Sequence, residues 1–529
     1  MDPHPSSTPV ERPTSRQRWI RALIVVLLLA AGARVMHRSP RDASALVITP
    51  DELMYGIGAQ RLATAGRFDL EVDGKRVPTS VTPWFSAAVL APVYWFDSDA
   101  IGTGVYGVLA WSLVGLLAIY AIGSAIGGPW CAAFGGVALL AFSSYPYLAG
   151  ALLTDAPAAA VSFGALWLFV RGHDRPLHAR DALAAGVLIA IAVAFRSVYL
   201  ALLVPFAARI VRRGATRLRA LAALALPSVL VGVATAVYHH ATFGDWRRTG
   251  FQYWMSVPYD YPELVLSFEH VAENLALFTY PDGISGLSLG AIGALCVAWR
   301  GGVAGRSYLA AVGTVAALTS GFLLLYFYGD LRLHLFTTAS GAALGGMGIG
   351  AVLPGFVRRS EPALALVLAV AAVTLPRAPL PSRERLIVAE WIFTHTPPDA
   401  IVISGIEPVY FEALEPGSSR RTYVAATREV EFASKLLVPI RVDGPEPPPR
   451  DAFDHRCEGL RRGGAREAIA FTADERPDLV AQWLREKRPV FFDRLTLTDP
   501  AAIARILSGQ YVLAVDHRSD VLAHAVPAR

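Results

Sequence analysis

Lysine is nearly missing from this chain. Among 529 residues only Lys75, Lys435 and Lys487 carry an ammonium group, so arginine supplies almost all of the 48 basic side chains. Cysteine is as scarce: of the three, Cys131 and Cys296 lie in apolar stretches and only Cys457 in a polar one, which excludes a disulfide or cysteine metal framework. Charged residues make up 17% of the chain, against about 25% in soluble domains. With 54% hydrophobic residues and a mean hydropathy of +0.42, a wholly soluble protein is excluded and an integral membrane protein implied. The net charge of +5 does not imply nucleic acid, because the arginines cluster in short loops between apolar stretches, as the positive-inside rule predicts. The first apolar run has no small-residue cleavage site after it and reads as an uncleaved anchor. No repeat of fixed period is present, and no low-complexity tract exceeds the Pro/Ser/Arg-rich N-terminus.

What is present is a series of apolar runs. Ile20 to Met36, Ala220 to Tyr238 and Tyr308 to Tyr328 approach the ~20 residues that a helix needs to cross the hydrocarbon layer. The hydropathy pattern predicts about eleven spans near 20–36, 103–123, 130–147, 156–171, 182–195, 197–209, 220–239, 284–299, 307–328, 334–356 and 362–376. Arginines at 12–21, 171–180, 209–219, 300–306 and 358–359 mark cytoplasmic loops, which puts a disordered tail of residues 1–18 inside and the C-terminus outside a plasma (inner) membrane. The loop over 37–82 is then external. The stretch "DALAAGVLIAIAVAFRSVYLALLVPFAARIVRR" has arginines at both ends, so one tilted crossing would break the rule. A hairpin turning near Arg196 keeps it, and each arm of ~14 residues reaches only ~21 Å, which sinks Arg196 below the surface.

From residue 377 to 529 charge and proline rise and the spans stop. "AIVISG", "RTYVAA", "RPVFFDRL" and "YVLAVDHR" read as strands, and "SRERLIVAEWIFTH", "DLVAQWLREK" and "PAAIARILSG" as helices, with "VDGPEPPPRD" a proline-rich loop. The expected fold is mainly α: a polytopic helix bundle over 19–376 followed by a small soluble α/β domain outside the membrane.

The candidate site residues are charges that a membrane chain tolerates poorly. In "TPDE" Thr49 fits an N-cap, Pro50 fits N1 and Glu52 fits N3 of a capping box, so helix chemistry accounts for both Asp51 and Glu52. Gly66 reads as the matching stop, and Leu53, Met54, Ile57 and Leu62 form a stripe that predicts a helix lying along the membrane surface. Asp155 in "GALLTDAPAAAVSF" has the same structural reading, as an N-cap. The functional reading rests on company: Asp51 and Asp155 are assigned to the outer face with Arg196, Arg332 and His334. Carboxylates beside cations at a lipid boundary fit a base that takes a hydroxyl proton and cations that hold a departing phosphate. The outer loop "YHHATFGDWRRTGFQYWMSVPYDYPELVLSFEHVAENLALFTYPDG" adds aromatic rings with Arg247 and Arg248, readable as an interfacial belt or as a sugar or prenyl surface. His239 and His240 are adjacent, which is not the spacing of two ligands on one helix face, and no metal site is assigned.

The order of these features resembles the GT-C superfamily of polytopic glycosyltransferases, in the branch of protein O-mannosyltransferases and the aminoarabinose lipid A transferase. The likeness is carried by "DELMYGIGAQRLATAG", with its acidic pair and Tyr55, by "TPWFSAAVLAPVYWF", "LTDAPAAAVSFGALWLFVRG", "AVAFRSVYLALLVP" and "AEWIFTHTPPDAIVISG". It implies a sugar moved with inversion from a polyprenyl-phosphate donor to a hydroxyl on a glycan, lipid or protein. Asp51 is then the base, Glu52 a helper and Asp155 a positioning acid, while Arg196 and Arg332 hold the phosphate. No cofactor is demanded, although metal-dependent relatives exist. One departure is Thr82, where many relatives carry a lysine; Lys75 and Arg76 stand further back. The rarity of lysine fits a GC-rich bacterial genome and an undecaprenyl-type donor. Two other classes compete with this reading: a transporter or flippase of a lipid-linked sugar, against which no inverted repeat is visible, and a noncatalytic envelope scaffold whose acids only cap helices.

Overall fold

The computed structural model describes residues 15–38, 50–72, 75–213, 217–247, 249–251, 259, 262–358, 360–378, 384–406, 410–411, 414, 421–426, 473, 477–515 and 521–528. Residues 1–14 of the expected tail, Thr49, Arg248, Cys457 and the proline-rich loop lie outside them. The first helix, α1 (Ser15–Met36), begins four residues inside the stretch expected to be disordered. Then follow α2 (Pro50–Ala65), the hairpin β1 (Leu70–Val72) and β2 (Lys75–Val77), and the long helices α3 (Val105–Gly127), α4 (Pro129–Ala141), α5 (Asp155–Arg171), α6 (Ala179–Phe195), α7 (Leu203–Arg213) and α8 (Arg217–Phe243). The series closes with α9 (Pro281–Arg300), α10 (Gly302–Leu325), α11 (Leu335–Val352) and α12 (Glu361–Thr374).

A helical segment stands at each of the places where an apolar span is expected. Among the described residues six helices are long and apolar enough to cross a bilayer, as befits a multi-pass membrane protein. Others are shorter, such as α4 with 13 residues and α12 with 14.

Close packing among these helices comes from small side chains, since lipid supplies no hydrophobic drive between helices. A Cβ on Gly293 would strike the Leu344 backbone and one on Gly341 the Gly286 backbone, so α9 and α11 meet nearly backbone to backbone. Helix α11 packs in turn on α4, α3 on α5, and α8 on α6. Helix α1 returns to the end of the bundle: Arg21 pairs with Glu361 at 2.9 Å, and Ala378 N donates to Val35 O at 3.0 Å.

The α6–α7 segment is the hairpin and not the single tilted helix. Arg196 is extended (φ −150°, ψ 114°) and ends α6. A 3-10 turn (Ser197–Leu202) follows, and α7 then runs back, so that Arg209 donates to Phe169 O and Arg175 O at 2.7 Å each, beside the end of α5. The first of these bonds satisfies a carbonyl that the C-terminus of α5 leaves open, and the second ties down the loop after it.

Helix α2 buries its apolar stripe, Leu53, Met54 and Ile57, against the protein, with Ser80 Oγ donating to Met54 Sδ at 2.7 Å. Its end is as read. Gly66 has φ +66° and its N donates to Leu62 O at 3.1 Å, the single bond of a left-handed helix stop, while Arg67 N reaches Arg61 O at 3.4 Å.

After helix α13 (Glu384–His395) comes a five-stranded sheet in the order β4-β3-β5-β7-β6. Its strands are β3 (Ile401–Ser404), β4 (Thr422–Ala425), β5 (Val490–Asp493), β6 (Tyr511–Val515) and β7 (Leu522–Pro527). Strands β4, β3 and β5 are parallel, and β7 and β6 add an antiparallel edge. Helices α14 (Pro477–Arg485) and α15 (Pro500–Leu507) bury Trp483, Ile506 and Leu507 with Ile401, Ile403 and Phe492 of the sheet.

Candidate active site

Four charged side chains from four separate segments converge. Asp51 is the second residue of α2, and Asp155 is the first residue of α5. Arg196 stands at the break after α6, and Arg332 in the 3-10 turn Leu331–His334 that opens α11. Asp155 Oδ1 lies 2.5 Å from Arg196 Nη2, and Asp51 Oδ2 lies 3.5 Å from Arg332 Nη2. The two pairs are one cluster, because Arg332 also feels Asp155, and Arg196 feels Arg332.

Helix geometry explains why acids stand at these places. Both begin a helix, where free backbone N–H groups and the helix dipole favour negative charge. Asp155 is not the N-cap expected of it. Thr154 holds that position without a side-chain capping bond, and the Asp155 carboxylate turns to Arg196 instead. The other end of α5, 16 residues on at Arg171, lies about 24 Å away, so the acidic cluster and the arginine-rich loops occupy opposite ends of the bundle.

Tyr55 is one turn after Asp51 on the same face, wedged edge-on against Phe85 at 5.0 Å. It lies within the field of Asp51, Arg196, Asp155 and Arg332 together. Burial pushes its phenol well up from the ordinary range, and Asp51 adds to the push, so Tyr55 is a protonated hydrogen-bond donor at neutral pH. Tyr259 and Tyr326 share a hydroxyl contact of 2.9 Å, and Tyr328 is beside Arg332. These phenols lie near the charges, Tyr259 near Asp51 and Tyr326 near Arg196.

The cluster is not closed on itself. Arg196 Nε, Arg332 Nε and Nη1, and both carboxylate oxygens of Asp155 are buried and, their ion pairs apart, have no hydrogen-bond partner among the described residues. Buried polar atoms are nearly always paired in native proteins, and an unpaired donor on a buried cation is costly. Donors of this kind, carried by two guanidinium forks, match the oxygens of a phosphate.

The other expected site residues fall elsewhere. Glu52 is fully buried, and its Oε2 accepts from Leu152 N at 3.1 Å. It shares a field with Arg38, which donates to Tyr147 O at 2.9 Å and stacks on the Tyr147 ring. His334 is buried, with Nδ1 3.4 Å from Ser320 Oγ and its ring against Phe278 at 4.7 Å, so it belongs to helix packing. Arg247 is exposed, and its backbone N donates to Asp245 Oδ1 at 2.8 Å. Among the described residues no group of three His, Cys, Asp or Glu side chains has the arrangement of a metal site.

One residue of this region escaped the sequence reading. Asp330, in "YGDLRLH", lies 2.9 Å from Arg332 Nε through Oδ2, and its Oδ1 accepts from Arg332 N at 2.9 Å. An acid two residues before an arginine at a helix start is the available signal. Asp330 also lines an open cleft of about 510 Å³ with Leu277, Tyr280, Pro281, Asp282, Gly329 and Leu331.

No protein-family model and no curated protein sequence matches the chain. Solved structures do. The structure of ArnT from Cupriavidus metallidurans bound to undecaprenyl phosphate is 13% identical, covers 96% of this chain and 98% of its own, and superposes with a TM-score of 0.59. The apo state of the same protein covers 97% and 98% at 13% identity with a TM-score of 0.50. The archaeal oligosaccharyltransferase AglB from Archaeoglobus fulgidus, in complex with an inhibitory peptide and a dolichol-phosphate, is 12% identical and covers 97% of this chain and 74% of its own at 0.49. Over nearly its whole length, therefore, this chain has the fold of the GT-C glycosyltransferases, which the order of its sequence motifs resembles.

Proposed function

We propose that the protein is a membrane glycosyltransferase that moves a sugar from a polyprenyl-phosphate donor to an acceptor hydroxyl, with inversion, on the outer side of the membrane. The observation that carries this is the open cluster: two partly exposed guanidinium groups with buried, unpaired N–H donors, set beside two carboxylates. A scaffold whose acids only cap helices has no need of cations that keep N–H donors in reserve.

Accessibility supports a division of roles between the two acids. Asp51 is 18% exposed and Asp155 1%, so only Asp51 is open to an incoming hydroxyl. Asp51 takes the proton of the acceptor hydroxyl while its oxygen attacks the anomeric carbon. The bond from that carbon to the phosphate oxygen breaks on the far side, and one displacement inverts the configuration. The bond's electrons leave with the polyprenyl phosphate, whose charge Arg196 and Arg332 receive. Tyr55 donates a hydrogen bond within the same space, and Asp155 fixes Arg196. Because a phosphate monoester is a fair leaving group, no second carboxyl with a raised pKa is required, in contrast to glycosidases. The fold is shared with an ArnT structure bound to undecaprenyl phosphate, which supports this class of donor.

The reading includes eleven crossings with the N-terminus in the cytoplasm of a bacterial inner membrane, and residues 377–529 as a soluble domain outside. Mass spectrometry of envelope lipids and glycans tests it. A species carrying one sugar should vanish when the gene is deleted and stay absent when Asp51→Asn is supplied in its place. Full restoration by Asp51→Asn would remove the base, and an unchanged envelope would remove the proposed transfer.

A further inference from the structure

Arginine side chains are long and rotate freely, so a guanidinium that must meet a small anion needs something to aim it. Arg332 meets one residue twice, by a backbone hydrogen bond and by an ion pair. Asp330 accepts from its backbone N at 2.9 Å, which caps the 3-10 turn, and sets its other oxygen 2.9 Å from Nε. The backbone bond fixes the root of the side chain and the ion pair draws its neck toward Asp330, although Nε makes no aligned hydrogen bond there; Nη2 lies 3.5 Å from Asp51, and Nε and Nη1 are buried without a hydrogen-bond partner among the described residues.

We infer that Asp330 is a positioning residue that aims the Arg332 fork, so that Nη1 is presented to a phosphate oxygen and Nη2 stays with Asp51. The inference rests on the proposed role of Arg332 in holding a lipid phosphate. Asp330 touches neither the reacting carbon nor the acceptor; it acts through Arg332. Its side chain is 29% exposed at the edge of the cleft that runs past Tyr280 and Asp282, so it is the acid between that opening and the guanidinium. The other groups facing Arg332 are Asp155, Asp51 and Tyr328, and none of them also holds its backbone.

The test is binding of undecaprenyl phosphate to the full-length protein in lipid nanodiscs, with melting temperature measured on the same samples. Asp330→Asn keeps an oxygen that caps the turn and loses the charge facing Nε. It should weaken binding by about tenfold to a hundredfold, the cost of a misaimed group, with little change in melting. Because Asp330 works through Arg332, the double variant Asp330→Asn with Arg332→Lys should bind within roughly twofold of Arg332→Lys alone. Asp330→Glu, which restores the charge, should recover much of the loss. Binding by Asp330→Asn equal to the wild type, losses that multiply in the double variant, or equal losses for Asn and Glu would each overturn the inference. A wild-type protein that binds no undecaprenyl phosphate would overturn the reading beneath it as well.

Discussion

Asp51 and Glu52 are neighbours in the first turn of α2, yet their carboxylates leave the helix for different company. Glu52 goes inward to Leu152 N and the field of Arg38, itself held by Tyr147 O and the Tyr147 ring. Asp51 goes to Arg332, and with Asp155 and Arg196 forms a cluster that includes buried atoms with no hydrogen-bond partner among the described residues. The first cluster ties α2 to the segment that leads into α5, and so fixes the distance between Asp51 and Asp155. The second keeps donors in reserve. An acidic pair of this kind divides its labour: one acid builds the wall and the other joins the open cluster of charges.

Substitutions can break this contrast at several points. The largest expected effect is on Asp51: Asp51→Asn should cut transfer in proteoliposomes by about 10²–10⁴-fold, the range for a positioned base, while the melting temperature holds because Asn still suits a helix start. Arg196→Ala comes next, since it strands a carboxylate that is 1% exposed. Loss of one partner of a buried pair costs about 3–5 kcal/mol, and denaturation should show it, with the double variant Arg196→Gln, Asp155→Asn recovering much of the loss. Glu52→Gln should lower stability by about 1–3 kcal/mol, with a smaller fall in turnover per folded molecule than Asp51→Asn; the reverse order would exchange the roles of the two acids. Smallest is Gly66→Ala, which places a Cβ at φ +66° and costs about 1–2 kcal/mol in thermal unfolding without touching the cluster.

Much of this architecture was legible because one physical rule, the exclusion of charge from hydrocarbon, acts along the whole chain. It marked the helices, and the arginine clusters at the two ends of 181–213 favoured a hairpin with Arg196 at its turn over a single tilted helix. Local chemistry marked Gly66 and the strands from "AIVISG" to "YVLAVDHR". What was hidden has two causes. Some signals were local but weak: the Asp73-Gly74 pair favours the β1–β2 hairpin, and Asp330 precedes Arg332 by two. Others are contacts between distant residues, such as Glu52 with Leu152 or Asp155 with Arg196, which no window along the sequence contains. The loop arginine Arg247 and the apparent outer histidine His334 were grouped with the site by topology alone, and the fold puts Arg247 on an exposed turn and His334 inside helix packing.

The most direct measurement is an experimental structure of the full-length protein with undecaprenyl phosphate. The account predicts phosphate oxygens at about 2.7–2.9 Å, the length of a charge-assisted hydrogen bond, from Arg196 Nε and Arg332 Nη1, with Asp51 facing the open side. A phosphate bound at exposed loop arginines such as Arg247, with Arg196 and Arg332 left untouched, would contradict it.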